Sequence, residues 1–471
     1  MEHDLPPDSG QEASQQSNTI ITLVVTADNH LGYNAFAQQP RKNEEFQQRL
    51  RRAFQQATDF AIGQGVDLFI QAGDLFATAN PSEQERSFVA ARLAQLRQAG
   101  VRAFAVGGIH DTPSENATSA PAGETRDRRG GGRASWDEDQ VLPEQHLRSL
   151  PVSPALAPQM SYARLGALHY FAPNASEIDP VMVEIRGARV GLCGLGVAAD
   201  QQGDALASAH ISSDIERADI PILIMHAPIE GLSARHTPLE NRVEVSRASI
   251  ENQSSFRVIL AGYHHHYHHM RLGECELIVA GATQQIDFHD ANAIPAQSEQ
   301  DAALDTEETA PADTPGFVFI GLARDGLRWC RHIAVDALSL RQLTIHTADL
   351  WPADSPAPAP TETILESLRP LCSAESLVQL RLEGALTREQ YHQLNLNQIR
   401  RYGEEQCFAL TIDDSGLELL AVDAEGGVIE RLSAREELIA LADEWIAAAD
   451  APEQNALRAT KEELLAAMDS R

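Results

Sequence analysis

Five short motifs rich in Asp and His recur along the chain, and four of them directly follow an apolar run that favours β-strand. The motifs are Asp28-Asn29-His30, Gly73-Asp74, Gly108-Ile109-His110-Asp111, His226 within residues 225–228, and Gly262 to His266. The runs are residues 20–27, 66–72, 101–106 and 222–225. Because the carboxyl ends of parallel strands meet at one crevice in an α/β fold, these side chains are expected to converge. Such oxygen and imidazole donors predict a site for manganese, iron or zinc.

The order of the motifs and the residues in them resemble those of the calcineurin-like metallophosphoesterases, and within that family those of the SbcD-type DNA repair exonucleases. Residues 28–33 and 73–76 are similar to the first two motifs of that branch, and residues 279–284 to the segment that closes its catalytic domain. The resemblance covers residues 19–290 and continues more loosely to the C-terminus. It implies an α/β fold, a two-sheet β-sandwich flanked by helices, followed by a small α+β capping domain and a C-terminal helix–loop–helix.

The resemblance also implies a set of metal ligands. Asp28, His30, Asp74 and His265 match the ligands of one metal ion. Asp74 is shared with a second ion, which His226 would also bind. The expected metal is manganese, with iron, zinc or magnesium as alternatives, and one or two ions are compatible with these residues.

Two further residues are candidates for the reaction itself. His110 matches an imidazole that, in the family, helps to place the phosphate or protonates the leaving oxygen. Asp111 fits the partner that would orient this histidine. An equally good interpretation of Asp111 is a turn-forming Asp before Pro113.

Two positions depart from the family pattern, and both serve the second metal. Ile109 stands where the family has a ligating Asn, and Tyr263 replaces the first His of the last motif. His264 and His266 offer an alternative pair two residues apart, since alternate residues of an extended segment point the same way. Tyr263 could also ligate as a phenolate. An abandoned second site and a rebuilt one therefore both stay open.

The net charge of −31 argues against a protein that holds DNA alone, because neutralisation of phosphates dominates such binding. Lys42 and Lys461 are the only lysines. Arginines cluster at residues 49–52 and 126–133, whereas residues 298–313 are strongly acidic and inflate the total. A local basic groove therefore stays compatible with the composition.

The sequence pattern divides the chain into six segments. We expect a disordered N-terminus (1–18), a catalytic domain (19–290) with an insertion loop (115–140), an acidic linker (291–314), strands that complete this domain or lead to the cap (315–349), a capping domain (361–432) and a helix–loop–helix (433–471).

The sequence predicts the buried face of one helix and the first residues of two others. Apolar spacing predicts a helix over residues 43–62 that buries Phe46, Leu50, Phe54 and Ala57. A second helix is expected to begin with Asn80 as its N-cap, followed by Pro81. Thr387 and Gln390 have the spacing of a capping box.

Cellular location is indicated by what the sequence lacks. The five cysteines are scattered without a Cys-x-x-Cys pair, which argues against a disulfide scaffold. The N-terminus has no signal pattern, and no apolar run approaches the ~20 residues that span a bilayer. We expect a cytoplasmic protein without a membrane association.

Three functions are compatible with these observations. The first is a metal-dependent phosphodiesterase, an SbcD-type DNA repair exonuclease or endonuclease subunit that cleaves DNA. Its partner would be an SbcC-type coiled-coil ATPase bound through residues 433–471, and a homodimer is a further option. The second is a phosphoesterase of the same fold with one metal or a rebuilt second site, acting on DNA ends or on smaller phosphoesters. The third is a scaffold or DNA-end-binding subunit that has lost catalysis.

Overall fold

The computed structural model describes residues 19–36, 39–113, 157–171, 177–196, 203–232, 244–286, 314–351, 359–422 and 428–431, with eight further positions between 439 and 461. The chain divides into two compact units, residues 1–337 and 338–471. Across the described part, none of the helices combines the length and the apolarity needed to cross a bilayer.

The first unit contains a six-stranded sheet that carries three of the five motifs. Its strands are β1 (Ile21–Thr26), β2 (Leu68–Ala72), β3 (Arg102–Val106), β4 (His169–Phe171), β13 (Gly316–Ala323) and β14 (Gly326–Ala334). The strand order is β14-β13-β1-β2-β3-β4. Strands β1 to β4 are parallel, so their carboxyl ends lie at one edge, whereas β13 and β14 extend the sheet in antiparallel fashion.

A second six-stranded sheet carries the other two motifs. Its strands are β6 (Val181–Ile185), β7 (Ala188–Gly196), β9 (Ile220–His226), β10 (Val258–Gly262), β11 (His268–Leu272) and β12 (Cys275–Val279). The order is β11-β12-β10-β9-β7-β6, with β7, β9, β10 and β12 parallel. A separate pair joins β5 (Glu177–Ile178) to β8 (His210–Ile211).

The two sheets pack face to face and share one hydrophobic core. Alternate residues of β1, such as Leu23 and Val25, pack with Ile222 and Ile224 of β9 and with Leu260 of β10. These side chains are all fully buried, as expected when each strand supplies every second residue to the interior. The prediction of a two-sheet α/β sandwich flanked by helices is therefore confirmed.

Helices cover the outer faces of both sheets. The first sheet carries α1 (Pro40–Gln64), α2 (Glu83–Gln98) and α3 (Gln159–Arg164). A second core on the second sheet includes residues from α4 (Ala205–Ser208), a 3-10 turn (Ser213–Arg217) and α5 (Arg247–Asn252).

The long helix α1 has the apolar face that its sequence predicts. Phe46, Leu50, Phe54 and Ala57 are all buried. The helix ends at Gly65, whose φ of 60° closes the last turn through hydrogen bonds to the carbonyls of residues 61 and 62.

The predicted start of α2 is wrong by two residues. Ser82, not Asn80, is the N-cap, and its side chain accepts a hydrogen bond from the Glu85 amide. Asn80 instead accepts a hydrogen bond from the side chain of Arg86. Two polar residues compete for the cap here, and a spacing argument alone does not separate them.

The second unit has its own sheet and core. Strands β15 (Ser339–His346), β16 (Ser376–Thr387) and β17 (Ala409–Val422) are parallel, and β18 (Val428–Arg431) is antiparallel to β17. Its helices are α6 (Thr347–Leu350), α7 (Pro360–Leu368), α8 (Arg388–Gln393) and α9 (Leu396–Gln406). The predicted capping box of Thr387 and Gln390 is confirmed at the start of α8.

The segment predicted as 315–349 is divided between the two units. Strands β13 and β14 belong to the first sheet, whereas β15 begins the sheet of the second unit. The expected disordered N-terminus (1–18), insertion loop (115–140) and most of the linker (291–314) and the helix–loop–helix (433–471) lie outside the described residues.

Stability should depend on the closeness of the two sheets at Gly262. A Cβ atom there would lie 2.1 Å from the carbonyl oxygen of Ala72 and 2.9 Å from the Cβ of Ala27. We predict that Gly262→Ala lowers the free energy of unfolding by about 3 kcal/mol, measured by urea unfolding. The matched control is Gly63→Ala on α1, where nothing lies within 4 Å of the added Cβ. That variant should be neutral or stabilise by up to about 1 kcal/mol, and equal losses in both would contradict this account.

Candidate metal centre

The strand ends bring all five motifs to one edge of the sandwich. Asp28 follows β1, Asp74 follows β2, His110 follows β3, His226 ends β9, and His265 follows β10. The loops are joined through their backbones, since the Asp28 amide donates to the Gly73 carbonyl and the His30 amide to the Asp74 carbonyl, both at 3.0 Å. The convergence therefore arises from the parallel strand order.

Backbone strain concentrates at these loops. Asp28, His30, Asp74 and Tyr263 have positive φ values of 48°, 45°, 52° and 83°, and Arg186 is the remaining non-glycine residue of this kind in the described structure. Such conformations cost roughly 1–3 kcal/mol each and tend to occur at functional sites. Packing around the motifs must therefore compensate for this strain.

Two glycines are needed because backbone and side chains approach closely. A Cβ on Gly73 would lie 2.1 Å from Nδ1 of His226, and one on Gly108 would lie 2.1 Å from Oδ1 of Asp74. Any larger residue at either position would displace an Asp or a His of the cluster.

Potential metal-binding atoms form three overlapping groups among the residues that the structure describes. The groups are Asp28, His30 and His265; His30, Asp74 and His110; and Asp28, Asp74 and His226. Within each group the donor atoms all lie within 4.8 Å of one another. Because His30 and both carboxylates are shared, the three groups form one continuous cluster.

His226 is held with a lone pair aimed into this cluster. Its ring is fully buried, and Nδ1 lies 2.9 Å from the carbonyl oxygen of Ala72. A carbonyl can only accept, so Nδ1 carries a proton, and the neutral form of the ring has its lone pair on Nε2. That atom lies 3.2 Å from Oδ2 of Asp74 and is buried without a hydrogen-bond partner among the described residues. Two lone pairs so close require a proton or a cation between them.

The ionisation of this pair follows from the same geometry. Burial lowers the pKa of His226, but the Asp74 carboxylate raises it more, to about 10 without a metal. Burial raises the pKa of Asp74, but the positive charge of His226 and its proximity lower it more, to well below its usual range. The pair thus holds one proton at neutral pH, which His226 would lose on binding a metal ion.

His30 and Asp28 complete the buried part of the cluster. The Nε2 atom of His30 is buried without a hydrogen-bond partner among the described residues. Burial lowers the pKa of His30 to about 3, so its ring is neutral and can ligate a metal. Burial raises the pKa of Asp28 to about 7, although the Tyr263 amide donates to its Oδ2 at 2.9 Å. Buried lone pairs of this kind are what a divalent cation satisfies.

His110 and Asp111 lie beside the cluster, but they differ in role. His110 is exposed, its amide donates to Oδ1 of Asp74 at 2.8 Å, and its ring centroid lies 5.1 Å from that of His30. Asp111 is fully buried, and its carboxylate accepts from the amides of Leu75 (2.8 Å) and Gly108 (2.9 Å). It therefore joins the second motif to the third, rather than orienting the His110 ring as the sequence suggested.

The residues considered as substitute ligands lie outside the three groups. Nε2 of His264 accepts a hydrogen bond of 2.8 Å from the Ile229 amide, and burial lowers the pKa of this ring to about 3. Tyr263 packs its ring edge-on against His226, with centroids 5.7 Å apart. His266 is partly exposed, and Ile109 brings only an aliphatic side chain.

Several residues that the sequence analysis did not single out hold Asn29, Gly73 and Asp111 in place through hydrogen bonds. Asn29 donates to the hydroxyls of Thr26 (2.8 Å) and Thr283 (3.1 Å), and the buried Gln71 donates to the Gly73 carbonyl at 2.7 Å. Gln159 donates to Asp111. The sequence does mark Gln71, because it is a polar residue inside an otherwise apolar strand. It does not mark Gln159, which lies 48 residues from Asp111 along the chain.

Comparison with known proteins gives short and distant matches. No protein-family model matches the sequence. The chain is 30% identical over 92 residues to the DNA double-strand break repair protein Mre11 of Methanosarcina mazei, and 29% identical over 92 residues to that of Methanosarcina acetivorans. Each match covers 20% of this chain and 14% of the relative.

Among solved structures, a dimetal phosphatase from Danio rerio is similar at 9% identity and a TM-score of 0.32, over 67% of this chain and 98% of the other. These short matches show a similarity to a DNA double-strand break repair protein, and the Asp and His cluster is a group of side chains that could hold a metal ion.

Metal binding at this cluster should release protons. Without a metal, His226 holds one proton up to a pKa of about 10, and Asp28 binds one with a pKa of about 7. Both must be deprotonated to ligate, so filling both ligand groups at pH 6.5 should release between about one and two protons per chain, falling towards about one at pH 8.5. Affinity should accordingly rise with pH across this range. Calorimetric titration with Mn²⁺ in two buffers of different ionisation enthalpy measures this number, and an absence of proton release would contradict it.

Proposed function

We propose that this chain is a metal-dependent phosphodiesterase of the SbcD type that hydrolyses DNA. The observation that carries the proposal is the buried lone pair of His226, which faces the carboxylate of Asp74 within the Asp28, His30 and His265 cluster. Aligned carboxylates and imidazoles of this kind suit manganese, with iron, zinc and magnesium as alternatives.

We assign the ligands in two groups. Asp28, His30, Asp74 and His265 would hold one ion, and Asp74 with His226 would face a second. The first group has four donors, of which three are almost fully buried. The second group receives no donor from Ile109, so it would hold an ion more weakly. A mononuclear enzyme is therefore the second candidate function.

The residues around the cluster supply the rest of the proposed reaction. A bound divalent ion would polarise the phosphoryl oxygen and lower the pKa of a bound water. His110 would contact the substrate, because it is the exposed histidine of the three groups. Its amide donates to Asp74, which fixes the backbone beside the cluster. In this position the His110 imidazole would bind the phosphate or protonate the leaving oxygen.

The choice of DNA as substrate is supported by the Mre11 relatives and by the motifs that resemble the SbcD branch. The matches cover only 92 residues of each relative, so substrate and assembly are part of the proposal. We further propose that residues 433–471 bind a coiled-coil ATPase of the SbcC type. Co-purification of that ATPase with a chain that ends at residue 432 would contradict this assignment.

The decisive experiment measures Mn²⁺-dependent hydrolysis of linear DNA and of bis(p-nitrophenyl) phosphate. We predict that Asp28→Ala lowers hydrolysis of both by about 100-fold or more, since even supporting groups around a metal contribute about 10- to 100-fold. The matched control is Asp325→Ala, because Asp325 is an exposed carboxylate paired with Arg328. Equal activity in both variants would contradict the proposal.

Restoration of the second ion separates the candidate functions. Ile109→Asn together with Tyr263→His should raise the hydrolysis rate, and each change alone should do less, because both serve one ion. A double variant that gains nothing, on an active wild-type protein, would favour a second site that residues 264–269 have already rebuilt. Inactivity of both proteins would favour the scaffold function instead.

A further inference from the structure

A buried side-chain amide lies at the centre of the first motif, between two of the proposed metal ligands. Asn29 is fully buried, and its amide is hydrogen-bonded at both ends. Nδ2 donates to the hydroxyl of Thr26 at 2.8 Å and to that of Thr283 at 3.1 Å. Oδ1 accepts from Nε2 of Gln71 at 3.4 Å. Both N–H donors and the carbonyl oxygen of this amide are therefore used.

Gln71 connects this amide to the second motif. Its Nε2 atom also donates to the Gly73 carbonyl at 2.7 Å, and its Oε1 atom accepts from the Gly73 amide at 3.3 Å. The Asp28 amide donates to the same Gly73 carbonyl at 3.0 Å. Asp74 is the next residue of the chain, so its position relative to the first motif depends on the side chain of Gln71.

Thr283 connects the amide to the fifth motif. This residue is fully buried and lies 254 positions after Asn29 along the chain. The residue before it, Ala282, forms a β-bridge with Ala27 of the first motif's loop. The Ala282 amide also donates to the carbonyl of His265 at 2.9 Å. The segment that carries Thr283 therefore contacts the backbone of both the first and the fifth motif.

These hydrogen bonds lie where the backbone is strained. Asp28 and His30, which flank Asn29, have φ values of 48° and 45°, and Asp74, which follows Gly73, has a φ of 52°. Such conformations persist only where the surrounding structure holds them firmly. A buried polar network whose members are hydrogen-bonded to one another is rigid enough to do so. The network therefore supports the backbone of three ligands at the positions where support is needed.

We propose that Asn29, together with Thr26, Gln71 and Thr283, positions the four-donor ligand group before a metal ion binds. The four are positioning residues, because none of them supplies a donor atom to the three groups and each acts through the backbone beside it. Their loss would leave the ligands to be ordered at the moment of binding, which weakens the affinity for the ion. This proposal rests on metal binding by the cluster, which is part of the proposed function, but not on DNA as the substrate.

Removal of a single hydroxyl group tests this proposal. Thr26→Val and Thr283→Val nearly keep the shape of the side chain, but each leaves one buried N–H of Asn29 without its acceptor. Each variant should raise the Kd for Mn²⁺ by about tenfold or more, since partners that orient metal ligands contribute about 10- to 100-fold to affinity. Calorimetric titration of the full chain with Mn²⁺ measures this Kd without any need for hydrolysis.

Two matched variants separate positioning of the ligands from general stability. Thr283→Ser keeps the hydroxyl and loses only the methyl group, so it should bind Mn²⁺ as tightly as wild type. Thr58→Val removes another fully buried hydroxyl, which accepts from Nε of Arg92 at 2.8 Å on the helix α1. In urea unfolding with EDTA, Thr58→Val should lower the midpoint as the other two valine variants do. Its Kd for Mn²⁺ should nevertheless equal that of wild type.

The outcomes distinguish this inference from the proposed function. An unchanged Kd in Thr26→Val and Thr283→Val, or an equal rise in Thr58→Val or Thr283→Ser, would overturn the inference alone, even if wild type cleaves DNA. Failure of both Thr26→Val and Thr283→Val to fold would also overturn it, because the network would then serve the fold as a whole. Wild type that binds Mn²⁺ but cleaves no DNA would refute only the proposed function, and wild type that binds no Mn²⁺ would refute both.

Discussion

The close approach of the two sheets at their carboxyl ends is the constraint on which the metal cluster depends. At this edge the Ala72 carbonyl at the end of β2 accepts the Nδ1 proton of His226 at the end of β9. Gly262 lies against the same carbonyl and leaves room for no Cβ. This contact fixes the tautomer of His226 and aims its other nitrogen at Asp74. The chemistry of the site therefore begins with a backbone oxygen of the opposite sheet.

Charge balance explains why the cluster suits a cation. Two buried carboxylates and four imidazoles lie within a few ångströms of one another, and burial disfavours the charged form of those that are buried. Without a metal the cluster must retain protons, as the raised pKa values of Asp28 and His226 indicate. A divalent ion would replace those protons and satisfy the lone pairs of His30 and His226 at the same time. The strained backbone of Asp28, His30 and Asp74 then has a functional explanation.

Strand ends and motif residues could be predicted from the sequence because both follow local rules. Apolar runs marked β1, β2, β3 and β9, and polar residues directly after them marked the cluster. Long-range hydrogen bonds had no such signal: Gln159 reaches Asp111 from 48 residues away, and Asp111 bridges two loops instead of orienting His110. Tertiary contacts between distant segments therefore limit what the sequence reveals.

The central claim is that the Asp and His cluster binds a divalent metal. Elemental analysis by plasma mass spectrometry tests it most directly, on protein stripped with a chelator, reloaded with Mn²⁺ and dialysed. Wild type should retain at least about one ion per chain, and Asp74→Ala, which removes the carboxylate shared by two of the three groups, should retain almost none. Asp59→Ala removes a carboxylate of α1 that pairs with Arg92, and this variant should retain as much manganese as wild type. Equal manganese in wild type and Asp74→Ala, or none in wild type, would contradict the account.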